Sequence, residues 1–142
     1  MISLNIFAKC PNTGNPKQRM GELLDKKGRS DLAKIMLINI LEEMHNINIS
    51  LKTNLWVYPN IDNEWIKKLS KKYFITLKKQ IGESLCSRMQ NCLLSESALG
   101  GKTLLIGTDI PALSKNKISE AIKTLNNNNI VIGPTYDEGF YL

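Results

Sequence analysis

The chain holds one histidine, His45. With only Glu42 and Glu43 near it, His45 supports neither a Ser-His-Asp arrangement nor a histidine-based metal site. Cysteine is scarce too: Cys10, Cys86 and Cys92 are odd in number, widely spaced and free of any CxxC pairing. That excludes a disulfide framework and a structural zinc site, and leaves three ordinary thiols. Aromatic residues make up only 6% of the chain, which argues against nucleic acid as a partner, because single-strand binders set stacking rings beside their basic groups. No apolar run approaches the roughly 20 residues of a membrane span. The opening segment MISLNIFAK has no basic region ahead of its apolar residues and no small-residue cleavage site. It reads as a first strand rather than a signal peptide, and the cytoplasm is the expected compartment. The phosphate-binding pattern GxxxxGK[ST] is absent, as are internal repeats and linkers, so the 142 residues are expected to form one domain.

What the chain has in excess is positive charge. Nineteen Lys and Arg against 13 Asp and Glu give a formal net charge of +6, a field that attracts anions such as phosphorylated ligands. Much of the excess lies in Lys67, Lys68, Lys71, Lys72, Lys78 and Lys79. This group reads as a solvated surface rather than a nucleic-acid patch.

Strand and helix signals alternate along the chain. Ile2–Ala8 is a short apolar strand, and Pro11, Gly14 and Pro16 forbid regular structure in the KCPNTGNPKQR segment that follows. Ser30 or Asp31 is positioned to cap a helix running to about His45, with Leu32, Ile35, Met36, Ile38, Ile40 and Leu41 as its apolar positions. Further strands are expected at 51–58, 73–77, 104–106 and 130–132, with helices at 63–70, about 83–97 and after Ser114. Short connections between alternating elements predict a three-layer α/β/α sandwich around a mostly parallel sheet.

In such folds ligands bind beyond the carboxyl ends of the strands. Three segments there carry chemistry. In KCPNTGNPKQR, Gly14 would let the backbone approach a ligand while Lys9, Lys17 and Arg19 offer cations to a diphosphate; a basic surface loop is the competing reading. In LLIGTDIPAL, Asp109 ends an apolar strand just before Pro111. It would either cap the next helix or hold Mg²⁺ or Mn²⁺, hard cations that take oxygen ligands and share them with phosphates. In GPTYDEGFYL, Asp137 and Glu138 stand beside the flexible Gly139; an ordinary turn is the competing reading.

The segments KCPNTGNPKQRM, QIGESLCSRM, LLIGTDIPALS and IGPTYDEGFYL, taken in this order, resemble the glycosyltransferase-A-like family of radical-SAM/selenodomain-associated transferases, relatives of the nucleotide-diphospho-sugar transferases. Lys9, Pro11, Gly14, Lys17 and Arg19 match its first motif, with Gln18 and Met20 in place of Thr and Leu. Gln80, Leu85, Arg88 and Met89 match the second, while Ser84 and Cys86 stand where Asp and Gly are usual. Residues 108–113 match the third, and 133–142 the fourth, with Glu138 for Gly and Phe140 for Tyr. The resemblance implies a nucleotide-sugar substrate bound between the first loop and Asp109. Lys9, Gly14, Lys17, Arg19, Gln80 and Arg88 would contact the nucleotide or its diphosphate. Asp109 would bind the divalent metal, and Asp109 with Asp137 would serve catalysis. The spacing from Gly14 to Arg19 also resembles nucleotidyltransferases of the same general fold, and a non-catalytic nucleotide-binding relative is the further alternative.

Members of that family continue beyond the fourth motif, so the resemblance implies a C-terminally shortened fold. The apolar end GFYL and an open strand edge are then expected to favour self-association, most simply as a dimer.

Overall fold

The computed structural model describes residues 1–136 and 139–142. Four strands, β1 (Ile2–Lys9), β2 (Leu51–Tyr58), β3 (Thr76–Lys79) and β4 (Lys102–Ile106), alternate with four helices. The helices are α1 (Lys26–His45), α2 (Glu64–Lys72), α3 (Leu85–Ser97) and α4 (Lys115–Asn127). The sheet runs β3-β2-β1-β4 and every pair is parallel. β1 is central: Ile2 faces Leu51 on one side and Lys102 on the other.

Alternate strand residues face opposite layers. Leu4, Ile6 and Ala8 of β1, with Leu55, Val57, Leu104 and Ile106, form the main core. Leu37, Ile40 and Leu41 of α1, Ile66 and Leu69 of α2, and Ile118 and Ile122 of α4 pack into it. The opposite parity carries Phe7, Trp56 and Leu105, which meet Met89 and Cys92 of α3. The expected three layers are therefore present, with three helices on one face and α3 on the other.

Several boundaries differ from expectation. α1 starts earlier than Ser30, because Asp25 caps it by accepting from the Gly28 amide at 2.7 Å. Ser30 lies inside the helix and donates to Asn12 Oδ1. The third strand begins at Thr76 rather than Tyr73, since Tyr73 caps α2 and Phe74 turns the chain at φ 54°. The expected fifth strand at 130–132 does not form: Ile130 and Ile132 are exposed, and beyond them an antiparallel bridge joins Pro134 to Phe140. An apolar run makes a strand only where a neighbour offers its backbone, and here the chain folds back on itself, Gly133 bonding Tyr141 and Leu142. Tyr141 and Leu142 pack against the core, so of the apolar end only Phe140 is largely exposed.

The α3 face of the sheet is polar at its centre. Asn5, fully buried, donates to Ser3 Oγ and to the Leu104 carbonyl, and accepts from Asn54 Nδ2 at 2.9 Å and Trp56 Nε1 at 2.8 Å. Beside it Glu96 of α3, its side chain 0% exposed, pairs with Lys78, and Lys52 stands 3.7 Å away. Lys78 thus neutralises a buried acid, and Lys67 pairs with Asp62 and Glu64, so the basic stretch is not one continuous solvated face. Burial pushes the Glu96 carboxyl up, but the Lys78 hydrogen bond and the charges of Lys78 and Lys52 outweigh it and hold the group below its ordinary range. Burial, then the Glu96 charge, push the neighbouring Cys92 thiol up to about 12 despite Lys78. Cys10 is also buried, whereas Cys86 is exposed.

A folded-state carboxyl held below its unfolded value stabilises above that value, and the contribution is lost as pH falls through the depressed one. Urea unfolding of Glu96→Gln is therefore expected to show a loss of about 1–3 kcal/mol at pH 7. The difference from wild type should shrink as pH falls below the ordinary 4.5. A difference that is constant from pH 7 to pH 3 would contradict the pairing.

Candidate nucleotide and metal site

In a parallel sheet all strands end at one edge, and the order β3-β2-β1-β4 puts the reversal of winding between β1 and β4. A crevice opens at such a point. A cleft of about 700 Å³ lies there, lined by Lys9, Lys17, Arg19, Gln80, Arg88 and Asp109 among others. Six residues expected at a nucleotide site, spread over a hundred positions of sequence, are thus brought together. Gly14 is not part of the lining, and Asp137 lies outside the described residues.

The first loop is built on β2. Cys10 N donates to the Tyr58 carbonyl at 2.7 Å, and Gly14 N to the Cys10 carbonyl at 2.8 Å. A Cβ on Gly14 would lie 2.7 Å from Cys10 N and 2.8 Å from Tyr58 O. The close approach expected of Gly14 is therefore to the protein's own backbone rather than to a ligand. Further on, Asn15 at φ 45° and Lys17 at φ 54° flank Pro16, and Gln18–Met20 form a 3-10 turn that leaves Arg19 exposed. Asn15 Oδ1 accepts from Arg29 and Asn12 Oδ1 from Ser30, so α1 anchors the loop at two points. Gly14→Ala is expected to cost about 1–3 kcal/mol, through clash with backbone that cannot yield. A thermal melt of the variant that matches wild type would show that the loop can move.

Asp109 does not cap a helix. Ser114 caps α4 by accepting from Lys117 N, and Glu43 Oε2 accepts from Lys115 N at 2.9 Å. Its partner is Lys17, whose ammonium meets Asp109 Oδ1 and lies 3.4 Å from the Thr108 carbonyl. The pair is unequal: the lysine side chain is 10% exposed and the aspartate 81%. The donors offered here are oxygens, a carboxylate reaching into solvent and a nearby carbonyl, and this chemistry suits Mg²⁺ or Mn²⁺. Among the described residues there is no cluster of three His, Cys, Asp or Glu. A cation held by Asp109 would complete its shell from ligand phosphate and water.

The opposite wall combines a tether and a stack. Gln80, buried, donates through Nε2 to the carbonyls of Trp56 (2.9 Å) and Ala8 (3.2 Å), so its amide joins β3 to the ends of β2 and β1. The Arg88 guanidinium lies 4.0 Å over the Tyr58 ring and donates Nε to Ser84 O. Leu32 and Met36 of α1 add an apolar surface. Tyr58, Leu32 and Met36 were missed as site residues by sequence reasoning. Tyr58 had a usable signal, a strand-terminal aromatic before Pro59, whereas Leu32 and Met36 were expected to serve only the core.

Residues 45–142 match the family described as "Uncharacterized protein conserved in bacteria (DUF2064)". The chain belongs to the DUF2064 family. No curated protein matches it. Among solved structures, it is similar to a "putative nucleotide-diphospho-sugar transferase" from Desulfovibrio desulfuricans G20, with TM-score 0.83 and 23% identity. That likeness covers 99% of this chain and 61% of the other, so the DUF2064 chain spans less than two thirds of its neighbour's length. It is similar as well to a cytidylyltransferase from Leptospira borgpetersenii serovar Hardjo-bovis, with TM-score 0.57, 11% identity, and coverage of 89% and 49%. A third similar structure is a CMP:2-keto-3-deoxy-manno-octonic acid synthetase complexed with CTP, at TM-score 0.55, 12% identity, and coverage of 92% and 49%. The fold is thus that of the nucleotide-diphospho-sugar transferases. Among the described residues no helix is long and apolar enough to cross a membrane.

Proposed function

We propose that the chain is a transferase acting on a nucleotide-activated sugar, with Mg²⁺ or Mn²⁺ held at Asp109. The observation that carries this reading is the convergence of Lys9, Lys17, Arg19 and Arg88 with one outward carboxylate, Asp109, in the crevice where the sheet's winding reverses. Four cations match a diphosphate, and the half-buried apolar wall of Leu32 and Met36 offers a surface for the less polar part of the ligand.

In sugar transfer an acceptor oxygen attacks the anomeric carbon. The bond from that carbon to phosphate oxygen breaks, and the nucleoside diphosphate leaves with the bonding electrons. Arg19 and Lys17 oppose the negative charge that grows on the departing phosphate. A divalent cation would supply Lewis-acid stabilisation of the same charge. The acceptor's proton needs a base, a role proposed for Asp137 on the resemblance alone.

Nucleotidyl transfer is the second reading, favoured by the likeness to two cytidylyl-type enzymes. There the attacked atom is the α-phosphorus and pyrophosphate leaves, so the identity of the leaving group separates the two.

The test is a thermal-shift panel of nucleoside diphosphates, their sugar conjugates and nucleoside triphosphates, with and without Mn²⁺, on wild type and Asp109→Asn. A ligand at a hundred times its Kd stabilises by roughly 2.7 kcal/mol, a shift on the order of 5–10 °C here. The expected result is a shift with one nucleoside diphosphate and its sugar conjugate that Mn²⁺ enlarges, and this Mn²⁺-dependent part is lost in Asp109→Asn. A shift with triphosphates alone would favour nucleotidyl transfer, and no shift with any nucleotide would refute both.

The protein is also proposed to self-associate, since among the described residues β4 pairs only with β1 and leaves its outer edge open. Light scattering at tens of micromolar should give the mass of a dimer; a monomer would exclude it.

A further inference from the structure

We propose that Lys17 is a charge latch. Its ammonium pairs with Asp109 and is handed to an incoming phosphate, so that a divalent cation and a diphosphate each make room for the other. The proposal rests on the nucleotide-site reading above and concerns what that reading leaves open, the coupling between the two ligands.

Three observations carry it. The first is the asymmetry of the pair. At 10% exposure the Lys17 side chain is largely withdrawn from water, while Asp109, at 81%, is not. A withdrawn ammonium is costly without an anion beside it, so Lys17 leaves Asp109 only when another anion takes its place. Asp109 has no such need, because water can solvate it.

The second is the backbone. Lys17 adopts φ 54° and ψ 38°, a left-handed conformation uncommon for a residue with a side chain, and no side-chain hydrogen bond caps the turn it begins. Asn15 at φ 45°, two residues earlier, is itself tied to Arg29 of α1. The loop therefore sets the direction of Lys17 into the cleft, and the ammonium exchanges partners locally rather than swinging into solvent.

The third is the donor count. Among the described residues no three His, Cys, Asp or Glu stand together, so Asp109 begins a divalent cation's shell without a cluster of described side chains to complete it. The carboxylate oxygen that would begin its shell already faces an ammonium, whose charge repels the cation. A cation alone meets an occupied ligand, and a phosphate alone meets a cation already paired. Together they replace one ion pair by two, cation with Asp109 and phosphate with Lys17. By linkage the strengthening is mutual.

Lys9 and Arg19 line the same cleft and are exposed, and among the described residues neither is ion-paired. They attract phosphate without a latch, which makes Lys9 the control.

The experiment is titration calorimetry of the full chain with MnCl₂ alone and with inorganic pyrophosphate in metal-free buffer, with circular dichroism confirming the fold of each variant. Lys17→Gln is expected to tighten Mn²⁺ binding about three- to tenfold and to weaken pyrophosphate. Asp109→Asn should do the reverse, tightening metal-free pyrophosphate about three- to tenfold. The controls Lys9→Gln and Asp31→Asn change the same net charges without touching the pair, and should show no gain of that size. The latch is overturned if Lys17→Gln binds Mn²⁺ no better than Lys9→Gln, or if Asp109→Asn binds pyrophosphate no better than Asp31→Asn. Absence of binding in every variant overturns it as well. The nucleotide reading fails separately, when the cleft takes Mn²⁺ and pyrophosphate with opposed mutant effects yet no nucleotide in the thermal-shift panel.

Discussion

Asn5 sits at the middle of the interior strand β1 with no exposed surface, and its side chain makes four hydrogen bonds across three strands. Its carbonyl oxygen takes donors from Asn54 and Trp56 of β2, while its amide reaches Ser3 and the backbone of Leu104 in β4. A slip of one residue in β1 would turn this amide into the apolar layer of Leu4 and Ile6 and leave its partners unsatisfied. The lock holds the pairing of Ile2 with Leu51 and with Lys102. It therefore holds level the strand ends from which Lys9, Tyr58 and the Gly107–Asp109 turn emerge. The cleft has its shape because its floor is set by a buried polar contact well below it.

Charge is handled differently on the two sides of this sheet. At the strand ends cations outnumber acids among the described lining residues, where the one acid, Asp109, stands outward beside Lys17. Under α3 the order is inverted: the acid is fully enclosed and the lysines stand at the rim, Lys52 and Lys78 being 35% and 27% exposed. An enclosed acid fixes α3 to β2 and β3, because any sliding of the helix would strand its charge. α3 in turn carries Arg88 and Leu85 into the cleft. The neutral interior and the cationic mouth are thus joined through one helix.

Much of this was legible in the sequence where a residue's role depends on near neighbours. The run of apolar residues before Asp109, the proline after it, and Ser114 ready to cap α4 located the end of β4 without knowledge of the rest. The layering followed from alternation of short strands with amphipathic helices. Roles that depend on distant partners were not legible. Glu96 looks like a surface acid on α3 until Lys78 and Lys52 are brought under it, and Gly14 looks like a ligand glycine until the carbonyl of Tyr58 arrives above it. Ser30 and Asp31 made a good local cap signal, but Asp25 lies at an equally good one a turn and a half earlier, and its bond to Gly28 prevailed. The run at 130–132 had strand composition, but just beyond it the backbone bonds to the chain's own fold-back, Gly133 with Tyr141 and Leu142. Asn5 carried no signal at all, since a lone asparagine in an apolar run is indistinguishable from a loop residue.

The placement of the three thiols sets which surface of this protein a chemist can reach. Cys10 and Cys92 are sealed in the two faces of the sheet, the latter with its proton held to about 12. Cys86 alone meets solvent, in the first turn of α3, between Leu85 and Ser87 and two residues from Arg88 at the mouth of the cleft. An alkylating dye offered to the folded chain has one address. It happens to be the threshold of the site, so the native sequence carries its own attachment point for a reporter of what enters.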